Sequence, residues 1–159
     1  RCQNYVTALG ASYPAARQCI LAHQDRILEA AACARTSMGN MCADSPGQLV
    51  TRRNPLTLQL AAFREMNTML VRSGVLNQAT ALLQTSKGFV GCMMKCGKHH
   101  SCDKGCGISL PPDNVVIANV KSCAFQAGFT IPVAREICGC LVDSGVQDLA
   151  PICPKLTIS

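Results

Sequence analysis

The sequence predicts an all-α fold: a disulfide-stapled bundle of about five to six short helices in a single domain, residues 1–159. Three observations predict it. Apolar residues recur at helical spacing between proline-led starts and glycine stops. Twelve cysteines stand in a chain of 159 residues, an even count at a density suited to an oxidising compartment. The one β-prone segment, the tail Lys155–Ser159, is too little to build a sheet.

The elements follow in order. Ser12-Tyr13-Pro14 opens a helix in which Ala16, Cys19, Ile20, Ile27, Leu28, Ala31 and Cys33 fall at helical spacing, and Gly39-Asn40 stops it. Asp44-Ser45-Pro46-Gly47 is a turn cluster. Asn54-Pro55 places a capping residue before proline at the first helical position. Leu58, Leu60, Ala61, Phe63, Met66, Met69 and Leu70 then trace one broad apolar stripe, ended at Ser73-Gly74. Val75 to Gln84 is a further helix, closed near Gly88. Leu110-Pro111-Pro112-Asp113 is a break and then a cap, and Val115 to Ala127 is helical as far as Gly128. Thr130-Ile131-Pro132 starts the last long helix, with Val133, Ile137, Cys138 and Leu141 on its apolar side and Gly145 at its stop. A short helical turn precedes Pro151.

All twelve cysteines, Cys2, Cys19, Cys33, Cys42, Cys92, Cys96, Cys102, Cys106, Cys123, Cys138, Cys140 and Cys153, are expected in disulfides. Six bridges allow roughly ten thousand pairings, so the sequence leaves most of the connectivity open. Cys92 and Cys96, like Cys102 and Cys106, are four residues apart and share a helix face. Around a tight Gly97–Ser101 turn they would ladder as Cys96–Cys102 and Cys92–Cys106. Cys138 and Cys140 are too close to bridge each other and should reach two different elements. Cys2, Cys19 and Cys33 are separated by sixteen and thirteen residues, and Cys106, Cys123 and Cys138 by sixteen and fourteen. This echo allows a weak internal duplication of 1–42 in 106–153.

Composition narrows the function classes. The chain opens at Arg1-Cys2 without an apolar leader, which reads as a secreted product already trimmed of its signal peptide. No run approaches the roughly eighteen apolar residues of a membrane span. The net charge of +6 comes from scattered basic residues without interleaved aromatics, which argues against nucleic acid. Charged residues make up only 15% of the chain against about 25% in ordinary domains. Hydrophobic residues reach 48% and mean hydropathy is +0.19, so part of the apolar surface is available for a partner, a lipid or further copies of the chain.

Catalytic material is scarce. The three histidines are His23, His99 and His100, and His23 with Asp25 and Arg26 reads as the polar face of a helix. No nucleophile elbow, zinc-protease motif or phosphate loop occurs. Cys96, His99, His100 and Cys102 are possible zinc ligands, but four within seven residues are cramped. No catalytic residue, metal or cofactor is therefore expected.

Two family resemblances add to this reading. Phe89-Val90-Gly91-Cys92, then Lys95-Cys96-Gly97-Lys98-His99-His100-Ser101-Cys102, resembles the calcium-loop entry and histidine helix of secreted calcium-dependent phospholipases. Leu60, Phe63 and Met66 are similar to that family's first helix, and Cys138-Gly139-Cys140 to its Cys-x-Cys. Lys95 stands for a cysteine, His100 for the metal-binding aspartate and Leu141 for the aspartate after Cys-x-Cys. What the resemblance implies is an inactive scaffold, because that chemistry needs a carboxylate to hold calcium and orient the histidine. The close of the chain, Ile137-Cys138-Gly139-Cys140 through Cys153-Pro154, resembles cysteine-rich secreted helical proteins of nematodes, implying an extracellular protein without known chemistry.

The expectation is a secreted, non-enzymatic structural or interaction protein, self-associating into oligomers or filaments. The runner-up is a module binding a lipid or small apolar ligand along the aliphatic and methionine stripe Leu58 to Leu83 with Met93 and Met94. Monodisperse monomer at high concentration would count against the first, and solvent extraction without lipid against the second.

Overall fold

A computed structural model describes residues 2–39, 55–100 and 111–158. Among them are eight α-helices and no strand: α1 (Gln3–Ala8), α2 (Tyr13–Leu21), α3 (Gln24–Ser37), α4 (Pro55–Arg72), α5 (Leu76–Thr85), α6 (Lys87–His100), α7 (Asp113–Gln126) and α8 (Ile131–Asp143). Two 3-10 turns, Gln147–Leu149 and Cys153–Lys155, close the chain. The all-α, disulfide-stapled class stands, with more and shorter helices than the periodicity suggested.

Local chemistry explains the ends. Gly39, Gly74, Gly128 and Gly145 follow α3, α4, α7 and α8 with positive φ, the left-handed conformation in which a helix stops and side chains are strained. Pro14 and Pro132 sit in the first turns of α2 and α8, where their missing N–H costs nothing. Pro112, rather than Asp113, occupies the N-cap of α7, and Asp113 complements the dipole from inside the first turn.

Two expectations need correction. The first long helix is two, α2 and α3, broken at Ala22–His23 without glycine or proline. No turn forms at Gly97–His100, because α6 continues through them. The tail makes no strand; Thr157 donates its N–H to Ser73 Oγ at 3.0 Å, and Arg135 Nε donates to the Leu156 carbonyl at 3.2 Å. The turn cluster at Asp44–Gly47 lies outside the described residues.

The core is built from small side chains. Val6, Ala11, Ala16 and Val146 form one buried cluster, against which Tyr13, Phe89 and Leu141 pack. Val75, Ala79 and Ile152 form a second, covered by Leu70 and Leu156. Leu82 and Leu149 touch both and join them. Among the described residues, every buried hydrophobic side chain is Ala, Val, Ile or Cys; no Leu, Phe, Met or Tyr is among them. Burying a large side chain stabilises by roughly 1.5–3 kcal/mol, so this core leaves more of the holding to covalent bonds.

Among the described residues four disulfides supply it: Cys2–Cys92, Cys19–Cys140, Cys33–Cys123 and Cys138–Cys153. α2 packs on α8 and α3 on α7, and a disulfide ties each pair. The successive helices α2 and α3 are thereby cross-latched to α7 and α8, first helix to second in both directions. Cys138 and Cys140 reach different elements, the final 3-10 turn and α2. The ladder partner proposed for Cys92 is wrong: its helix face turns to α1, and it bonds Cys2 instead of Cys106. Cys42, Cys102 and Cys106 lie outside the described residues.

Candidate interaction surface

Among the described residues, α4 carries four exposed large apolar side chains, Leu56, Leu60, Phe63 and Val71. At 100° per residue, these four fall within an arc of about 80° and extend about 22 Å along the axis. All four are exposed, Leu60 and Val71 at 58% each. Leu58, Ala61 and Met69 lie on the opposite side and Met66 and Leu70 along one flank, all five partly covered by the rest of the chain. The expected single stripe is thus two faces, and Leu60 and Phe63 belong to the outer one. A helix apolar on both faces is ordinarily buried on both.

Other helices repeat this pattern. Ile20 on α2, Ile27 and Leu28 on α3, Met93 on α6, and Val115, Val120 and Phe125 on α7 are exposed. α3 has no fully buried residue at all.

α7 runs between α3 and α4 and is flanked by two shallow grooves. The groove toward α4, of about 440 Å³, is lined by Ala61, Arg64, Glu65, Thr68, Ile117 and Lys121 among others. Lys121 Nζ donates to Glu65 Oε1 at 2.7 Å across it. That hydrogen bond and the positive charge of Lys121 hold the Glu65 carboxyl below its usual pKa. The groove toward α3, about 400 Å³, is lined by Thr36, Ser37, Asn119, Ser122 and Gln126 over the Cys33–Cys123 disulfide. Neither is an enclosed apolar chamber. The methionines expected to line a ligand site are divided, with Met66 and Met69 half-buried under α4 and Met93 exposed on α6.

The histidines do not assemble a site among the described residues. His23 is buried at the α2–α3 break rather than on a polar face, its Nε2 3.8 Å from Glu136 Oε1 on α8. Arg26 is half-buried beside it in sequence, and its Nη1 is buried without a hydrogen-bond partner among the described residues. Asp25 alone of that trio is exposed. His99 and His100 lie in the last turn of α6, and Cys102 lies outside the described residues. Phe89, Val90, Gly91 and Cys92 are helical, inside α6.

One cluster escaped the sequence reading. The sulfur atoms of Cys2, Cys92 and Cys96 lie within 4.8 Å of one another. Cys2 and Cys92 are bonded, and Cys96 is a half-buried thiol. The four-residue spacing of Cys92 and Cys96 signalled their shared face, but nothing in the sequence pointed to Cys2.

Fold and surface define a class: an all-α domain stapled by disulfides, with no described helix long and apolar enough to cross a membrane. Comparison with family models, with curated proteins and with solved structures gives no match that would narrow it.

Proposed function

We propose that this chain is an extracellular, non-enzymatic building block that associates with copies of itself through its helical faces, chiefly the outer face of α4. The observation that carries this reading is the inversion of side-chain size between inside and outside. Small residues fill the core, while Leu60, Phe63, Val71, Leu28 and Phe125 face solvent. Isolated exposed apolar residues are ordinary, but an ordered row along one helix marks an interaction surface. Charged residues make up only 15% of the chain, which leaves more of its surface to apolar contact, while the net charge of +6 makes association stronger at higher salt. The disulfides keep the unit's shape while such faces are used. Depending on whether the contact is two-fold or head-to-tail, the product is a closed dimer or an open fibre.

Sedimentation velocity of the oxidised chain across a wide concentration range tests this. Oligomers are expected, and Phe63→Asp with Leu60→Asp should weaken association at least tenfold while leaving the helical circular dichroism unchanged. A monodisperse monomer at the highest attainable concentration overturns the proposal.

A further inference from the structure

We propose that Cys96 is an internal exchange thiol for the Cys2–Cys92 disulfide, giving the N-terminal helix two anchor points one helical turn apart on α6. The three sulfurs are mutually within 4.8 Å, so the bonded pair and the third sulfur already share one space. Their proximity follows from the fold. Cys92 and Cys96 sit one above the other on α6, about 6 Å apart along its axis. Gly88, one turn before Cys92, continues the same face, and the Tyr5 ring lies where a β-carbon on Gly88 would stand. α1 therefore lies against a track on α6 made of Gly88, Cys92 and Cys96, with Cys2 at its end. All three cysteines are half-buried, which leaves their side chains room to move.

The chemistry is an isomerisation and needs no added oxidant. Cys96 loses its thiol proton to solvent, and the thiolate attacks Sγ of Cys2. A Cys2–Cys96 bond forms as the Cys2–Cys92 bond breaks, and Cys92 leaves as a thiolate that takes up a proton from solvent. One disulfide and one thiol stand on each side, and the reverse attack by Cys92 restores the first bridge. The exchange needs only rotation of the cysteine side chains and a small shift at Cys2, so Tyr5 stays over Gly88 and Val6 in its core cluster.

The three cysteines fall in separate tryptic peptides, Cys2–Arg17, Gly88–Lys95 and Cys96–Lys98, so the two bridges are directly distinguishable. The intact oxidised chain is incubated anaerobically at mildly alkaline pH, quenched in acid, blocked with N-ethylmaleimide and digested for mass spectrometry. In the wild type, Cys2–Arg17 is expected joined to Gly88–Lys95 and, in part, to Cys96–Lys98. Cys96→Ser should abolish the second product and keep the first. Cys92→Ser should carry Cys2–Cys96 as its bridge, with Cys96→Ser serving as the folded control should that variant fail to fold. Wild-type protein that gives only the Cys2–Cys92 product overturns the proposal. So does Cys96 found quantitatively bridged to Cys42, Cys102 or Cys106.

Discussion

At Gly145 the chain passes so close to Gly10 and Ala11 that a β-carbon has nowhere to go: it would meet the Gly10 carbonyl and stand 2.9 Å from the Ala11 Cα. Its φ of +119° is also one that other residues rarely adopt. The adjacent Ser12 N–H donates to the Ser144 carbonyl at 2.7 Å, so the crossing cannot open without losing a backbone bond. Gly145→Ala should cost upwards of about 2 kcal/mol, a fall of roughly 4–8 °C in Tm. Gly39→Ala, strained in φ but with nothing within 4 Å, should cost no more than about 1 kcal/mol, and thermal melts of the two variants separate crowding from backbone strain. Glu65 sets an electrostatic test at the same scale. Its carboxyl pKa lies below the ordinary 4.5 because of Lys121, so its contribution is fully present above about pH 4.5 and is lost as pH falls through the lowered value. Both partners are about one-third exposed, which limits the pair to less than about 1 kcal/mol. Lys121→Met should flatten that part of the acid-unfolding curve while changing stability at neutral pH only slightly.

Among the elements, the helices with glycine stops were legible in advance because those stops have a single physical meaning. Gly74, Gly128 and Gly145 each sit at positive φ just past a helix, as their position after an apolar run implied. The α2–α3 break was not legible. It contains only Ala22 and His23, residues compatible with a continuous helix, and what marks it is tertiary: His23 is buried within reach of Glu136 on α8. α6 misled in the opposite way, since Gly97 is an ordinary turn signal, yet the helix runs on to His100. In α4 the periodicity announced apolar residues but not which would be covered. α7 decides that by packing beside Ala61, Glu65 and Thr68, leaving Leu60 and Phe63 outside. The candidate surface was therefore visible in the sequence only as an excess of apolar residues, and the sulfur cluster not at all, because Cys2 is ninety residues from its partner. If the outer face of α4 is used in association, hydrogen exchange across α4 should slow as concentration rises, and exchange in α8 should not change.

For the whole molecule, the disulfides act as a network and not as separate staples. Cys19–Cys140 spans 121 residues and Cys138–Cys153 only 15. Taken alone, loop closure would make the first worth about 5 kcal/mol and the second about 3. With Cys33–Cys123 in place, however, the circuit that Cys19–Cys140 closes is shortened to roughly thirty residues, worth between 3 and 4 kcal/mol by the same relation. Removing either bridge as a pair of serines should thus cost nearly the same, within about 1 kcal/mol, by denaturant unfolding. Once Cys33–Cys123 is also removed the expected gap widens to only about 1.3 kcal/mol, because Cys2–Cys92 still holds the circuit to roughly 65 residues. Reciprocal latching of α2–α3 to α7–α8 is what couples them.

That latching also decides how the chain would behave under tension. Pulled by its two ends, an unbridged chain of 159 residues would pay out to roughly 550 Å. Here the covalent path runs from the N-terminus to Cys19, crosses to Cys140, steps back to Cys138, crosses to Cys153 and continues to the end. Every other residue hangs as a closed side loop. The fully drawn length is then about 100 Å, less than a fifth of the free contour. Single-molecule stretching should show an early, abrupt stop that disappears on reduction. Strung in series, such units would give a cord that yields a little and then holds.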